Sequence, residues 1–200
     1  MVSTNEATVR LPAAERRVQL IEVAKEVLSS QGFHDTTMSE IAKAAGVTKP
    51  VLYQHFESKR DLYTALLQET GDRLSEAIEI AVSNASGPEE QVRFGFGAYI
   101  RFVQDDPDGF RILFSGASRQ DPEWAKIPEH VEATIADGIA VRMEQTDWSL
   151  TRRRILAHGL IGLAEGMMRQ WHLNGADTFD LDEMSSDLQA VAWHGLVGIS

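Results

Sequence analysis

The sequence predicts an all-α protein of about nine helices, the first three short and closely spaced and the rest longer. Three observations lead there. Apolar residues recur at the 3.6-residue period along nearly the whole chain, and no run alternates convincingly at period two. Helix-opening boxes and helix-closing glycines sit where those periodic segments begin and end. The breaks "NASGPEE", "QDDPDG", "GASRQDPEW" and "LNGADTFD" then separate segments of helical length.

Taken in order, Arg16 to Gln31 carries the stripe Leu20, Val23, Ala24, Val27 and Leu28, with Gly32 as its C-cap. Thr37-Met38-Ser39-Glu40 is a capping box that opens a short helix through Ile41, Ala42 and Ala45, stopping at Gly46. A third short helix follows Thr48. Ser58-Lys59-Arg60-Asp61 resembles a second box and opens a long helix to about Asn84. Pro88 suits the first turn of the next helix. Further helices are expected at about 89–105, 108–117, 122–146, 150–173 and 181–198.

The segment Gly46–Phe56, "GVTKPVLYQHF", contains a proline that elsewhere would break a helix. Gly46 can take positive φ and turn the chain sharply. With Thr48 as N-cap, Lys49 and Pro50 fall in the first turn, where amides have no intrahelical partner and the fixed φ of proline fits. Pro50 therefore starts the helix. Leu52 and Phe56 would pack inward with Val47 and Ile41, leaving Lys49, Val51, Tyr53, Gln54 and His55 to face elsewhere. Those residues combine a cation, a phenol, an amide and an imidazole, with no acid until Glu57. The spacing admits two readings: a structural helical hairpin with a solvated face, or a helix-turn-helix that enters the major groove of DNA.

Charge bears on that choice. The chain's net charge is −11, yet residues 1–63 carry eight basic and eight acidic side chains, while residues 64–200 carry eleven and twenty-two. All the net acidity lies in the larger C-terminal part. Local charge governs a DNA footprint, so the acidic total excludes nothing. There is no cysteine, which removes disulfides and thiolate metal sites and fits a cytoplasmic protein. No apolar run approaches the roughly 18 residues of a membrane span. The N-terminal "MVSTNEATVRLPAAERR" lacks a signal-peptide core and reads as an arm.

Residues 16–67, most densely "TTMSEIAKAAGVTKPVLYQHFESKRDLYTALL", resemble the N-terminal DNA-binding domain of TetR/AcrR-type transcriptional regulators. The shared features are a Gly-Phe after the first helix, the "T-x-x-x-I-A-x-x-A-G-V" helix, the "K-x-x-L-Y-x-H-F" helix and the following "S-K". The resemblance implies a helix-turn-helix domain over 1–63 and a helical ligand-binding and dimerisation domain over 64–200. It implies that Thr48, Lys49, Val51, Tyr53, Gln54 and His55 lie at double-stranded DNA, with Tyr53 and His55 on phosphates. Thr37 and Lys59 match positions that contact the DNA backbone. It also implies a ligand-responsive regulator, usually a repressor, released from a palindromic operator by a small molecule. Pro50-Val51 departs from the Gly-Thr or Gly-Ala of many relatives, so no relative's operator can be borrowed. Arg10, Arg16 and Arg17 could reach a minor groove or simply be solvated.

Pattern in the C-terminal part suggests a homodimer. Ile155, Gly159, Gly162 and Gly166 line one helix face with small residues, and Leu188, Val191, Ala192, Gly195 and Leu196 form a stripe on the last helix. Both stripes could instead pack inside one subunit. The family pairs through a four-helix bundle of these two helices. Aromatic and methionine residues also concentrate here, as core or as the lining of an effector pocket. Phe96, Tyr99, Phe114, Met143, His158, Glu165 and Arg169 are the candidate pocket residues. Members of the family commonly bind an inducer there.

No catalytic residues, cofactor or metal site are expected. His158, Glu165 and His172 recur every seven residues, but that spacing is about 10.5 Å, too long to chelate one ion. Neither a nucleophile elbow nor a phosphate-cradling glycine loop is present. The alternative to a regulator is a helical interaction or small-molecule-binding module that never touches DNA.

Overall fold

The computed structural model describes residues 11–144, 146–174 and 180–198. Among these residues the chain is all-α, with no strand. The helices are α1 (Ala13–Gln31), α2 (Met38–Ala44), α3 (Lys49–His55), α4 (Lys59–Ser83), α5 (Pro88–Asp105), α6 (Pro107–Leu113), α7 (Gly116–Gln120), α8 (Lys126–Arg142), α9 (Leu150–Asn174) and α10 (Leu181–Val197). The chain divides into two compact units, Met1–Leu66 and Leu67–Ser200, and the division falls inside α4.

Two differences from the expected helices have local causes. The expected helix over 108–117 stops at Leu113, and the five-residue α7 follows it. Ser115 is extended there, and its hydroxyl accepts the Ser118 amide, restarting the helix at Gly116. The helix expected from 122 begins only at Lys126. Asp121 Oδ1 accepts the amides of Glu123 and Trp124 at 2.9 and 3.3 Å, holding a turn in place of helix.

In the first unit, the turns that bring α1, α2 and α3 together use the two glycines with positive φ, Gly32 at 83° and Gly46 at 65°. The core gathers Leu20, Ile21, Ala24 and Leu28 from α1, Met38 and Ile41 from α2, Leu52 and Phe56, and Leu62 and Leu66 from α4. On α1 the buried face is centred on Ile21 and Ala24, while Val23 and Val27 of the expected stripe are only half-buried. Each such fully buried apolar side chain is worth about 1.5–3 kcal/mol.

In the second unit, α8 packs along α9, and α10 packs against α5 and α9. Gly71 permits a close approach of α4 and α8: a Cβ there would lie 2.5 Å from Val131 Cγ2. Asp106, 4% exposed, ties the α5–α6 corner. Its carboxylate accepts the Gly109 amide at 2.9 Å and meets Arg73 Nη1 at 3.0 Å.

Candidate nucleic-acid interface and ligand cavity

Thr37 and Glu40 close a reciprocal capping box at the start of α2. The Thr37 hydroxyl accepts the Glu40 amide at 3.3 Å, and Glu40 Oε2 accepts the Thr37 amide at 2.8 Å and the Thr37 hydroxyl at 2.7 Å. The bonds from Thr37 hold the Glu40 carboxyl below its ordinary range. This box fixes α2, and Gly46 then swings the chain into α3.

Thr48 occupies the N-cap of α3, and Pro50 lies in its first turn. The Thr48 hydroxyl makes no capping bond. Leu52 and Phe56 are buried, at 0% and 1% exposure, and anchor the inner face. The other side of α3 is open: Thr48, Lys49, Tyr53 and Gln54 are exposed, and Val51 and His55 are half-buried. Half of the Tyr53 surface faces solvent, although a tyrosine ring gains from burial. Thr37, Lys49 and Tyr53 border one shallow groove together with Ser39 and Lys59.

Lys59 is held differently from the other cations. Its ammonium donates to the carbonyls of Thr36 at 2.6 Å, Phe33 at 2.5 Å and His34 at 3.3 Å, and lies over the Phe33 ring. All three of its N–H donors point into the turn between α1 and α2. Of the arm arginines, Arg16 bonds Gln19 and Arg17 stacks on Phe56, while Arg10 lies outside the described residues.

The second unit contains a cavity of about 870 Å³ lined by α4, α5, α8, α9 and α10. Four of the expected pocket residues, Phe96, Tyr99, Phe114 and Met143, line it, and so does Glu165. His158 and Arg169 do not: both are exposed on α9, because the helix turns its Leu160, Ile161 and Ala164 side to the cavity. Two charged residues at the polar part of the site had no signal in the sequence. Arg119 Nη2 donates to Glu165 Oε2 at 3.0 Å and lies 3.6 Å from Glu132 Oε1. Burial, the nearby Glu165 charge and a hydrogen bond to Glu165 push the Glu132 carboxyl up to about 7, against the pull of Arg119. Arg119 stands in a segment that reads as a break, and its partner is 46 residues away.

The small-residue face of α9 is largely open. Ile155 is 67% exposed, Gly159 and Gly162 are exposed, and Gly166 is half-buried. On α10 the expected stripe divides. Val191 and Gly195 are exposed, but Leu188 and Ala192 are buried at 0% and 3%, and Leu196 lines the cavity. Leu188 and Ala192 thus belong to the core of the single chain, the stripe being broad enough to cover two faces. Among the described residues no cluster could hold a metal ion, and no helix is long and apolar enough to cross a membrane. The side chain of His172 lies outside the described residues.

A capped α2, a glycine turn and an α3 with a buried inner and a polar outer face define a helix-turn-helix DNA-binding protein. Residues 20–66 match the family model described as bacterial regulatory proteins, tetR family. The chain is 34% identical over 188 residues to the HTH-type transcriptional activator FasR of Mycolicibacterium smegmatis, covering 94% of this chain and 85% of that protein. It is 29% identical over 195 residues to the HTH-type transcriptional regulator AcrR of Shigella flexneri, covering 90% and 88%. The crystal structure of a TetR-like transcriptional regulator from Rhodococcus sp. RHA1 matches with a TM-score of 0.75 and 29% identity over 94% of this chain and 100% of that one. The chain belongs to the tetR family of DNA-binding transcriptional regulators.

Proposed function

We propose that this protein binds a palindromic operator as a homodimer and leaves it when an apolar small molecule fills the cavity of the second unit. The observation that carries the reading is α3, whose inner face is wholly buried while Thr48, Lys49, Tyr53 and Gln54 are presented to solvent. In the major groove, Gln54 is suited to an adenine edge and Val51 to a thymine methyl. Lys49, Tyr53, the Thr48 hydroxyl and His55 are suited to phosphates, which position the protein and make binding salt-dependent.

The cavity supports the ligand half of the reading, being concave, mostly apolar and equipped with a few polar groups. A ligand dissociates the complex only through its differential affinity for the two states of the dimer. The exposed Ile155–Gly159–Gly162 face of α9 and the exposed Val191 and Gly195 of α10 support pairing of two chains. A second reading concerns the sign of regulation. The relative from M. smegmatis is named an activator, which favours a dimer that activates from its site; release by ligand is common to both.

Selection of bound duplexes from a random pool, followed by fluorescence anisotropy on the winner, tests the DNA half. Enrichment of an inverted repeat is expected, with binding lost in the Lys49→Ala, Tyr53→Ala double variant. Failure to enrich any sequence at low salt would sink the regulator reading in favour of a helical interaction module.

A further inference from the structure

The cavity of the second unit is apolar along most of its lining, with Arg142 ion-paired to Glu79 in one part and a denser polar group around Tyr99, Glu132 and Glu165. Tyr99 lies eleven positions after Pro88, and Met143 eleven after Glu132, and all four residues line it. At the helical rise this is a span of about 16 Å. The acid-rich pole is the Tyr99–Glu132 end, where Glu165 and Arg119 complete the group.

Two buried oxygens at that pole receive no N–H donor from the protein. Tyr99 is 7% exposed, its ring edge-on to Phe110, and its hydroxyl has no hydrogen-bond partner. Glu165 Oε1 is buried and takes no N–H, the Arg119 bond going to Oε2; beyond Arg119, Glu165 shares a hydrogen bond with the Glu132 carboxyl when that is protonated. Buried polar groups are nearly always satisfied, and leaving one without a partner is costly. Both residues line the cavity, so the two groups stand at its wall.

The charges around the pole restrict what that molecule can carry. Two acids face one guanidinium: Glu165, and Glu132, whose carboxyl is raised to about 7. Burial first, then the Glu165 charge, raise the Tyr99 phenol well above its ordinary value; Arg119 opposes them and Glu132 adds to them. The phenol therefore stays protonated and can donate. A ligand carboxylate placed there would be desolvated beside two acids, with the one nearby cation already bonded. An ammonium would find acceptors but would lose its water shell and leave the Tyr99 proton without a partner. A hydroxyl or carboxamide fits both atoms. Its oxygen accepts from Tyr99, and its own O–H or N–H donates to Glu165 Oε1.

Resting on the reading of this cavity as the effector site, we propose that the effector is an apolar molecule with an uncharged hydroxyl or carboxamide head held between Tyr99 and Glu165. The acid-rich pole rejects the corresponding carboxylate. Phe114, under the Arg119 guanidinium at 5.7 Å, forms an apolar shoulder beside that head.

The test is a matched series on the full chain: octanol, octanamide, octanoate and octylammonium. Binding is followed by calorimetry and by quenching of Trp148 and Trp193, both of which line the cavity. Octanol and octanamide are expected to bind about tenfold or more tighter than octanoate and octylammonium. Tyr99→Phe keeps the ring packing and is expected to lose about tenfold in octanol affinity. Glu165→Gln is expected to bring octanoate up to the affinity of octanol. If Glu165→Gln does not fold without its Arg119 bond, Tyr99→Phe decides alone. Octanoate or octylammonium binding as tightly as octanol, or a Tyr99→Phe protein with unchanged octanol affinity, overturns the head-group assignment while the cavity remains an effector site. Absence of binding by all four probes overturns the effector reading of the cavity, and the head-group assignment with it.

Discussion

Lys59 Nζ donates to the backbone carbonyl of Thr36 at 2.6 Å, so the first residue of α4 clamps the turn that delivers α2. The Phe33 and His34 carbonyls take its other two donors, and the Phe33 ring lies beneath it. A lysine committed in this way differs from Lys49, which is exposed on the outer face of α3. The family resemblance places Lys49 at the DNA and Lys59 at its backbone, yet only Lys49 has its ammonium free of the α1–α2 turn.

The two lysines should therefore respond differently to salt. Lys49→Ala is expected to flatten the plot of log affinity against log salt by about 0.9, the signature of one lost phosphate contact. Lys59→Ala is expected to leave that slope unchanged while lowering stability by about 1–3 kcal/mol, because three carbonyls lose a charged donor. Anisotropy titrations across a salt series, with urea unfolding of each variant, measure both quantities. An equal loss of slope in Lys59→Ala would make it a phosphate contact after all.

Asp106 should be among the most sensitive positions of the second unit. Its buried carboxylate serves at once as the cap of α6 and as the partner of Arg73. Removing it deletes a cap worth about 1 kcal/mol and leaves Arg73 without this carboxylate. Arg73 is 42% exposed, so solvent recovers part of the loss. Asp106→Ala is expected to cost about 2–3 kcal/mol in urea unfolding. A change within about 0.5 kcal/mol, the range of ordinary surface substitutions, would contradict this account.

The parts of this molecule that were legible in the sequence are those set by neighbours in the chain. Gly46, Thr48 and Pro50 could be assigned because turn, cap and first-turn geometry depend on a few consecutive residues. Leu52 and Phe56 followed from helical spacing, and both are buried. Contacts between distant segments were not legible. Nothing near Arg119 points to Glu165, and nothing near Lys59 points to the carbonyls of Phe33 and Thr36. The α10 stripe failed for a different reason. Leu188, Val191, Ala192 and Gly195 together span a wide arc, and periodicity does not say which edge of it the chain's own core covers. Leu188 and Ala192 go inward, and Val191 stays out.

Glu132 predicts a dependence of stability on pH. Its folded-state carboxyl is raised to about 7, above its unfolded value of about 4.5. Between those values the native state binds more protons than the unfolded state, so stability falls as pH rises through the window and levels off above it. The groups that set the shift are Glu165 on α9, Arg119 on α7, and Glu129 on its own helix. Solvent reaching Glu132, whose side chain is 29% exposed, screens part of the effect. The opposite shifts of Glu79, bonded to Arg142, and of Glu40 act below the ordinary carboxylate value, outside this window. Thermal melts between about pH 5 and pH 8 should show a decline in the wild type that is smaller in Glu132→Gln by on the order of 2–4 °C. Parallel curves for the two proteins would remove Glu132 as the cause.

The exposed faces of α9 and α10 make a prediction about assembly. Ile155 and Val191 are 67% and 58% exposed, and a Cβ added at Gly159, Gly162 or Gly195 would meet nothing within 4 Å in the chain itself. Small residues beside exposed apolar ones suit a close helix-on-helix contact with a second copy, since each methylene withdrawn from water there is worth about 0.8 kcal/mol. A charge on this face would have to be buried unpaired twice in a two-fold interface, once from each chain. Light scattering of the wild type should therefore give about twice the 22.2 kDa of one chain. Ile155→Glu combined with Val191→Glu should give the mass of one chain with helical content unchanged by circular dichroism. Because a half-site alone offers few contacts, the same double variant should lose operator binding although every residue of α3 is intact. A double variant that remains dimeric and binds DNA normally would move the interface off this face.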